Sequence, residues 1–290
     1  MRNGEQTIKF ARHSLILGAL IISFSGLIIR NIESADSWTI IFYRAMAFTF
    51  AVFCYVLFKH RSKVFQQFSH AGRQGVAGGI ILGLTNITYI LAITNTTVAN
   101  TLFTVSLIPF ITALLAFLSI KERIPMTTVL AMFVALLGII VMFRGSIVQG
   151  QLFGNLMALI TAFLFSIFAI LIRINKKIEM LPSLFIGGMV SLLVALVVTQ
   201  IKLEASLHDI LLCFVLGGVL SGFASIVFTL ATRYIAAGEA TFYMFIEFAL
   251  GPFWVWLFIY EKPSNTTLYG GLIIFTALLT KAIADSRKVI

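Results

Sequence analysis

The sequence predicts an all-α integral membrane protein of about ten transmembrane helices, arranged as two inverted five-helix repeats. Three observations lead to this fold class. Of the 290 residues, 60% are hydrophobic and only 11% are charged, and the mean hydropathy is +1.03. A soluble domain of this length cannot bury so much apolar surface, so lipid must cover the remainder. The apolar runs are continuous rather than alternating, which excludes a membrane barrel, and one residue pattern occurs twice.

The apolar runs have the length of membrane spans. A helical span needs roughly 20 mostly apolar residues, because the bilayer core contains no water to satisfy the backbone. The chain contains about ten such runs, five in each half, and the third and fourth are separated only by the polar residues 95–97. The predicted spans are 15–30, 38–58, 75–94, 98–120, 127–143, 152–172, 184–200, 210–232, 240–260 and 268–284.

The second half repeats residues of the first half at a constant shift of 139 positions. Because each half holds an odd number of predicted spans, the second half enters the bilayer in the opposite orientation, as in many secondary transporters. We therefore expect two repeats, residues 1–148 and 149–290. The matched pairs are Gly78 and Gly217, Gly79 and Gly218, Gly83 and Gly222, Ile87 and Ile226, Leu91 and Leu230, Ala92 and Ala231, with Asn86 and Ser225, Tyr89 and Phe228, Asn100 and Glu239, and Glu122 and Glu261 at corresponding positions.

The basic residues predict the orientation independently. If the N-terminus is cytoplasmic, 16 of the 21 Lys and Arg residues fall in cytoplasmic segments, 4 fall on the outside and Arg44 lies within a span. This bias follows the positive-inside rule, so we expect both termini in the cytoplasm. The net charge of +10 is then explained by topology and anionic lipid, and no nucleic-acid partner is expected.

The predicted location is the plasma membrane. Short loops and the lack of a folded soluble domain favour a bacterial inner membrane. Residues 95–97 and 265–267 match N-glycosylation sequons, which matter only in a secretory pathway, and both lie close to predicted spans. The first apolar run follows Arg2, Lys9 and Arg12 and lacks a small-residue cleavage pattern, so no cleaved signal peptide is expected.

No residue pattern points to enzymatic chemistry. The sequence contains no HExxH, GxSxG, P-loop or dinucleotide fingerprint. Cys54 and Cys213 belong to different predicted spans, and the four histidines show no paired spacing. We therefore expect no catalytic residue, no metal ion and no cofactor.

Arg44 and Glu247 are the two clearly ionisable residues deep within predicted spans. A charge at the bilayer centre costs at least about 2.5 to 3.5 kcal/mol, so it persists mainly where it faces a wet cavity or a partner. Arg44 can anchor an anionic group such as a carboxylate, or it can snorkel outward or bond backbone carbonyls in a structural role. Glu247 can hold a substrate amine or exchange a proton.

Polar residues spaced four apart form a stripe on the ninth predicted span, at Glu239, Tyr243 and Glu247. Such a stripe on an apolar helix should face the interior, and Asn100 and Thr104 occupy the equivalent stripe on the fourth span. We predict one central cavity between spans, although any Asn, Ser or Thr can instead bond across helices as packing glue. The predicted substrate-binding residues are Arg44, Asn86, Tyr89, Asn100, Thr104, Ser225, Phe228, Tyr243 and Glu247.

Three stretches carry a resemblance to a known family. They are the sequence Ile-Phe-Tyr-Arg44-Ala-Met, residues 106–123 and residues 245–262. Their order and spacing across the two halves resemble the drug/metabolite transporter (DMT) superfamily, EamA type. In that family each half carries a proline ahead of a glutamate at a span end, and Pro109 and Glu122 match this pattern.

The second half departs from the family pattern at one position. Glu247 and Glu261 match it, but Phe248 stands where proline is usual and Pro252 follows four residues later. We therefore expect the helix kink to move and the pocket to be shaped differently.

The resemblance implies a secondary transporter that moves a small polar or amphipathic metabolite by alternating access, with an amino acid or related compound favoured. The expected partners are a small-molecule substrate, the lipid bilayer and either protons or a counter-substrate. Two alternatives remain open. A uniporter, facilitator or channel for a small solute is one, although the polar groups cluster at one depth rather than along a pore. A structural membrane protein is the other.

Overall fold

The computed structural model describes residues 2–121, 124–148, 150–176 and 178–286. Every regular element in this part of the chain is helical. The helices are α1 (Arg2–Ile22), α2 (Ser25–Arg30), α3 (Ser37–His60), α4 (Val64–Asn95), α5 (Val98–Val105), α6 (Ile108–Ile120), α7 (Met126–Val148), α8 (Leu152–Ile174), α9 (Leu181–Thr199), α10 (Leu207–Phe214), α11 (Gly222–Ala231), α12 (Ala237–Tyr243), α13 (Phe245–Ile259) and α14 (Asn265–Ser286). A 3₁₀ turn at Arg61–Lys63 joins α3 to α4, and a π-helical segment at Val215–Ser221 joins α10 to α11.

Some predicted features lie outside the described residues. These are Glu122 of the repeat and of the family pattern, and the basic residues Arg123, Lys177, Arg287 and Lys288.

Nine helical stretches among the described residues are long and apolar enough to cross a membrane. The tenth predicted span falls on α14, whose apolar part, Asn265–Thr280, is shorter. The prediction of an all-α membrane protein is confirmed. The nine stretches are Gln6–Arg30, Ser37–His60, Gln66–Asn95, Val98–Ile120, Met126–Gly145, Leu152–Ile174, Leu181–Thr199, Leu207–Ala231 and Ala237–Ile259.

The third and fourth stretches are separated by a capped turn at Thr96 and Thr97. Thr96 has an extended backbone, and the Thr97 side chain accepts a hydrogen bond from the N–H of Asn100 at 3.1 Å. This N-cap satisfies one of the free N–H groups at the start of α5. The short polar break seen in the sequence is therefore enough to end one helix and begin the next.

Several membrane stretches are interrupted within their length. The helix breaks at 23–24 between α1 and α2, at 106–107 between α5 and α6, and at Met244 between α12 and α13. Pro109 lies in the first turn of α6, where its missing N–H costs no helical hydrogen bond. Broken helices expose backbone groups at membrane depth, which is tolerated where they are buried in protein or line a cavity.

The break in the ninth stretch differs from the expectation. It lies at Met244, ahead of Phe248, whereas Pro252 lies inside α13. The chain turns at Met244 because its N–H bonds the Thr241 carbonyl at 3.2 Å, a tighter turn than the α-helical one. Such a turn needs no proline, so this interruption does not follow the displaced proline.

Close contacts between helices position the centre of the fold. α4 packs against α8 and α9, α3 packs against α9 and the π-helical segment, and α7 pairs with α14. A Cβ atom at Gly83 would lie 2.9 Å from the Gly187 carbonyl oxygen, so α4 and α9 touch through their backbones. This is the packing expected of small residues in apolar helices.

The outer surface of the helices is apolar. Phe58 is 83% exposed and Val197 is 76% exposed, although both belong to long apolar stretches. Such side chains are compatible with lipid and not with water. The outer surface of the spans is therefore suited to contact with lipid.

Candidate functional site

A cavity of about 900 Å³, including its open mouth, lies between α1, α3, α4, α8, α11 and α13. Most of its wall is apolar, with a small number of polar groups, which is the composition typical of a small-molecule site. The polar lining residues are Arg44, Thr85, Asn86, Tyr89, Thr161, Ser221, Ser225, Tyr243 and Glu247.

Arg44 is held in the cavity wall by two neutral side chains. It lies two turns into α3, whose first turn is capped by Asp36 accepting from the N–H of Thr39. The guanidinium Nη2 donates to Ser221 Oγ at 3.1 Å and, at a longer 3.4 Å, to Asn86 Oδ1. The residue is only 6% exposed. Arg44 therefore neither snorkels outward nor bonds backbone carbonyls among the described residues.

The bonding of Arg44 leaves capacity for a ligand. Its Nε is buried and has no hydrogen-bond partner among the described residues. Guanidinium groups are always charged and present donors in a planar fork. A cavity anion such as a carboxylate can therefore accept the free donors of this fork.

Glu247 lies in the first turn of α13, directly after the break at Met244. It is 5% exposed and lines the same cavity as Arg44. A carboxylate near a helix N-terminus is stabilised by the helix dipole. Within the described part of the chain, the Glu247 carboxylate accepts no hydrogen bond and forms no ion pair, with Arg44 or with any other cation.

Five further predicted residues also line the cavity: Asn86, Tyr89, Ser225, Phe228 and Tyr243. The Tyr89 hydroxyl lies 3.2 Å from the Ser25 hydroxyl, which connects α4 to the start of α2 beside the first helix break. The repeat-related pairs Asn86 and Ser225, and Tyr89 and Phe228, are thus brought to one space by α4 and α11.

Asn100 and Thr104 do not line the cavity. Asn100 is fully buried in a polar network in which its Oδ1 accepts from Thr267 Oγ1 at 2.6 Å and its Nδ2 donates to Gln151 Oε1 at 3.0 Å. Thr104 is fully buried, and its hydroxyl has no partner among the described residues. Asn100 therefore faces α14 and the residue that precedes α8, because the rotation of α5 about its axis is set by its neighbours.

The sequence interpretation missed several lining residues. Ser221 is the most informative, because it lies one turn before Ser225 on the same stretch and bonds Arg44 directly. The spacing of four was the available signal. Aromatic side chains that were also missed form much of the wall: Phe165, Phe168 and Phe248. The Phe165 and Phe228 rings lie 5.0 Å apart.

Polar contacts join several helix ends on the side of the fold where α2 and α13 end. Arg30 at the end of α2 donates from Nε to Glu261, beyond α13, at 2.6 Å. Glu261 also accepts from the N–H of Val98 at 2.9 Å, and Arg30 donates to the Thr96 carbonyl at 2.6 Å. Asp209 at the start of α10 accepts from the N–H of Ser34 at 2.7 Å. We call this the α2–α13 end.

On the opposite side, an exposed ion pair joins α1 to the start of α12. Arg12 and Glu239 form an ion pair at 2.8 Å, although their side chains are 47% and 36% exposed. Glu239 of the predicted stripe is thus paired with Arg12 and does not line the cavity. We call this the α1–α12 end.

A second acidic residue at the α1–α12 end bridges several helices. Glu179, between α8 and α9, accepts from Lys59 Nζ at 2.8 Å and lies 3.0 Å from His60 Nε2 and 3.7 Å from Arg233 Nη1. Burial raises the pKa of the Glu179 carboxyl, but the hydrogen bonds from Lys59 and His60 outweigh it and hold that pKa below its usual value.

The described part of the chain contains no cluster of side chains that could bind a metal ion. No group of three or more His, Cys, Asp or Glu side chains converges there. Cys54 is exposed and Cys213 is buried, and both are free thiols.

Comparison with known proteins gives a family match for the first half of the chain and a fold for nearly all of it. Residues 12–144 match the EamA-like transporter family, which confirms the resemblance drawn from the sequence. The S-adenosylmethionine uptake transporter of Rickettsia prowazekii (strain Madrid E) is 28% identical over 262 residues, covering 87% of this chain and 85% of that protein. A solved crystal structure, described only as that of a protein, has a TM-score of 0.70 at 13% identity and covers 95% of this chain and 98% of its own. At that identity the likeness shows the fold alone.

Proposed function

We propose that this transporter of the DMT superfamily, whose residues 12–144 form an EamA-like domain, carries a zwitterionic amino acid or related compound through the central cavity by alternating access. One observation carries the proposal. Arg44 and Glu247, of opposite charge, are buried in the same cavity, yet neither is paired with an oppositely charged side chain among the described residues.

Burying two separate charges in a membrane protein is costly unless each finds a partner. A zwitterion supplies both partners at once. Its carboxylate accepts hydrogen bonds from the Arg44 fork, and its ammonium group donates to Glu247. Arg44 is therefore assigned to the substrate anion and Glu247 to the substrate cation.

The rest of the wall favours a substrate with a large apolar or aromatic part. Tyr89, Phe165, Phe168 and Phe228 line the cavity beside the charged groups. Aromatic faces stack on planar heterocycles and attract cations. The similar Rickettsia protein is named for S-adenosylmethionine, which combines an amino-acid head, a sulfonium cation and an adenine ring. We therefore propose S-adenosylmethionine as the first substrate to test.

Alternating access is supported by the helix breaks and by the unequal ends of the cavity. Broken spans meet at the cavity between α1 and α2 and between α12 and α13, which are places where helices can bend. The Arg30–Glu261 pair at the α2–α13 end is partly buried, whereas the Arg12–Glu239 pair at the α1–α12 end is more exposed. We propose that this conformation is open towards the α1–α12 end, and that residues 1–148 and 149–290 are the inverted repeats that rock about the site.

Uptake into proteoliposomes of purified protein tests this function. We expect saturable uptake of radiolabelled S-adenosylmethionine that is competed by unlabelled S-adenosylmethionine and not by adenosine, because adenosine lacks the zwitterion. A panel of amino acids and nucleosides in the same assay gives the substrate class. If nucleosides compete as well as zwitterions, the assignment of Arg44 and Glu247 is wrong.

The same vesicles distinguish the modes of transport. A secondary transporter accumulates substrate when a proton gradient or a counter-substrate gradient is imposed. A facilitator only equilibrates the substrate, and a channel does so without saturation at millimolar concentrations. Accumulation above the external concentration supports coupled transport, and its absence under every gradient favours the facilitator.

A further inference from the structure

The span Leu207–Ala231 contains an unusual helical winding. Its middle residues, Val215–Ser221, form a π-helical segment, in which backbone hydrogen bonds join residues five apart instead of four. Such turns are rare and occur frequently at functional sites. The glycine spacing of the segment and the residue after it, Gly217, Gly218 and Gly222, recurs in α4 at Gly78, Gly79 and Gly83, where the chain is α-helical. The winding is therefore not dictated by the glycine pattern, and contacts with neighbouring helices must favour it.

The principal neighbour of the segment is α3, at the level of Arg44. A Cβ atom at Gly217 would overlap the Arg44 carbonyl oxygen and would lie 3.0 Å from the Arg44 Cα. Only glycine fits against this backbone. One turn later, Ser221 Oγ accepts from Arg44 Nη2 at 3.1 Å. Two residues of the segment thus contact the same arginine, Gly217 at its backbone and Ser221 at its side chain.

The contact with Ser221 holds Arg44 without neutralising it. Arg12 and Arg30 are each paired with a carboxylate, at Glu239 and Glu261. The oxygen atoms that bond the Arg44 guanidinium belong to neutral side chains, and that of Asn86 lies at the longer distance of 3.4 Å. Positioning by a neutral acceptor leaves the positive charge available for an anion.

We infer that the π-helical segment positions Arg44 for the substrate anion, and that Ser221 is the positioning residue through which it acts. This inference rests on the proposed function, because it takes Arg44 as the group that binds the anion. A fixed guanidinium loses less conformational freedom when the substrate binds, so its positioning increases affinity.

Substitutions of Ser221 test the inference in proteoliposomes with radiolabelled S-adenosylmethionine. Ser221→Ala should raise the half-saturating concentration about tenfold, as the loss of one hydrogen bond to a charged group predicts, with little change in maximal rate. Ser221→Thr keeps the hydroxyl and should restore affinity. Val219→Ala is the matched control, because Val219 belongs to the same segment but is 58% exposed. Equal affinities for all three variants would overturn the inference.

A double-mutant cycle of Ser221 and Arg44 separates this inference from a general packing effect. If Ser221 acts through Arg44, then Ser221→Ala should have no further effect in an Arg44→Gln protein. An additional loss of similar size in that background would mean that Ser221 acts elsewhere.

A measurement without substrate tests whether Ser221 positions the Arg44 guanidinium, even if S-adenosylmethionine is not transported. In detergent, the Arg44 Nε–H signal of ¹⁵N-arginine-labelled protein can be assigned by its loss in Arg44→Lys. We expect an ordered guanidinium in the unsubstituted protein and in Val219→Ala, and a mobile one in Ser221→Ala. An equally ordered signal in Ser221→Ala overturns the positioning role. Failure of transport alone, with the signal behaving as expected, would count against the proposed function instead.

Discussion

The Arg30 guanidinium donates to the Glu261 carboxylate at 2.6 Å and thereby joins the end of α2 to the end of α13. Each partner also bonds the turn that precedes α5, Arg30 at the Thr96 carbonyl and Glu261 at the Val98 N–H. Three helix ends thus converge on one ion pair at the α2–α13 end. The Glu261 carboxylate lies at the N-terminus of α5, so the dipole of that helix further stabilises its charge.

Removing either charge of this pair should loosen the α2–α13 end. We expect Arg30→Gln and Glu261→Gln each to destabilise the protein by about 1–3 kcal/mol, because each leaves a partly buried charge without its partner. The double variant should be little worse than the poorer single variant. Thermal unfolding in detergent gives the comparison, with Glu204→Gln in an exposed loop as the control. Additive losses would show that the two residues do not act as a pair.

Glu247→Gln tests the cationic side of the substrate site. The substitution keeps the shape and removes the charge, so we expect concentrative transport to be lost or much reduced. Glu239→Gln should be milder, because Glu239 is engaged with Arg12 away from the cavity. Transport under imposed pH gradients separates the two roles of Glu247. A proton-exchanging residue makes transport depend on the gradient, whereas an amine-binding one alters affinity alone. Wild-type behaviour of Glu247→Gln at every pH would leave this residue with a structural role.

Arg44 variants test the anionic side. Arg44→Lys should weaken substrate affinity, since a point charge replaces a planar fork, and Arg44→Gln should weaken it roughly 10- to 100-fold. Arg144→Gln is a matched control, because Arg144 is exposed. Intact transport by Arg44→Gln at unchanged expression would remove Arg44 from the substrate site.

The contacts of Glu179 predict that the stability of the protein falls at acidic pH. Because its folded pKa is held below the usual value of 4.5, the ionised carboxylate contributes stability that is fully present above that value. This contribution is lost as the pH falls through the folded pKa. Thermal unfolding should therefore show a loss of stability below about pH 4.5 that is smaller in Glu179→Gln. The same acid loss in both proteins would assign it to other carboxylates.

Fusions at the two termini test the predicted orientation. The distribution of basic residues predicts that both ends lie in the cytoplasm. A fluorescent protein that matures only in the cytoplasm should therefore fluoresce at either terminus. A fluorescent N-terminal fusion with a dark C-terminal one would mean an odd number of spans, and the prediction of two inverted repeats would fail.

Part of the candidate site was predictable because charge and spacing are visible in the sequence. Arg44 and Glu247 are conspicuous as charges within apolar runs, and the shift of 139 positions connects Asn86 with Ser225. All four line the cavity. The same pattern also selected Asn100, which instead bonds Thr267. A polar stripe predicts an interior face, but it does not say which interior neighbour that face meets.

The sequence by itself determined that this chain forms apolar helices, because in lipid every backbone group must be bonded within its own segment and the length of an apolar run is a local property. It also determined which charges lie within those helices. Only the tertiary structure decided which side chains share a space. Helix rotation, the break at Met244 and the π winding that brings Ser221 to Arg44 depend on close packing with neighbouring helices, and equal glycine spacing gives an α-helix in α4 and a π-helix in Val215–Ser221.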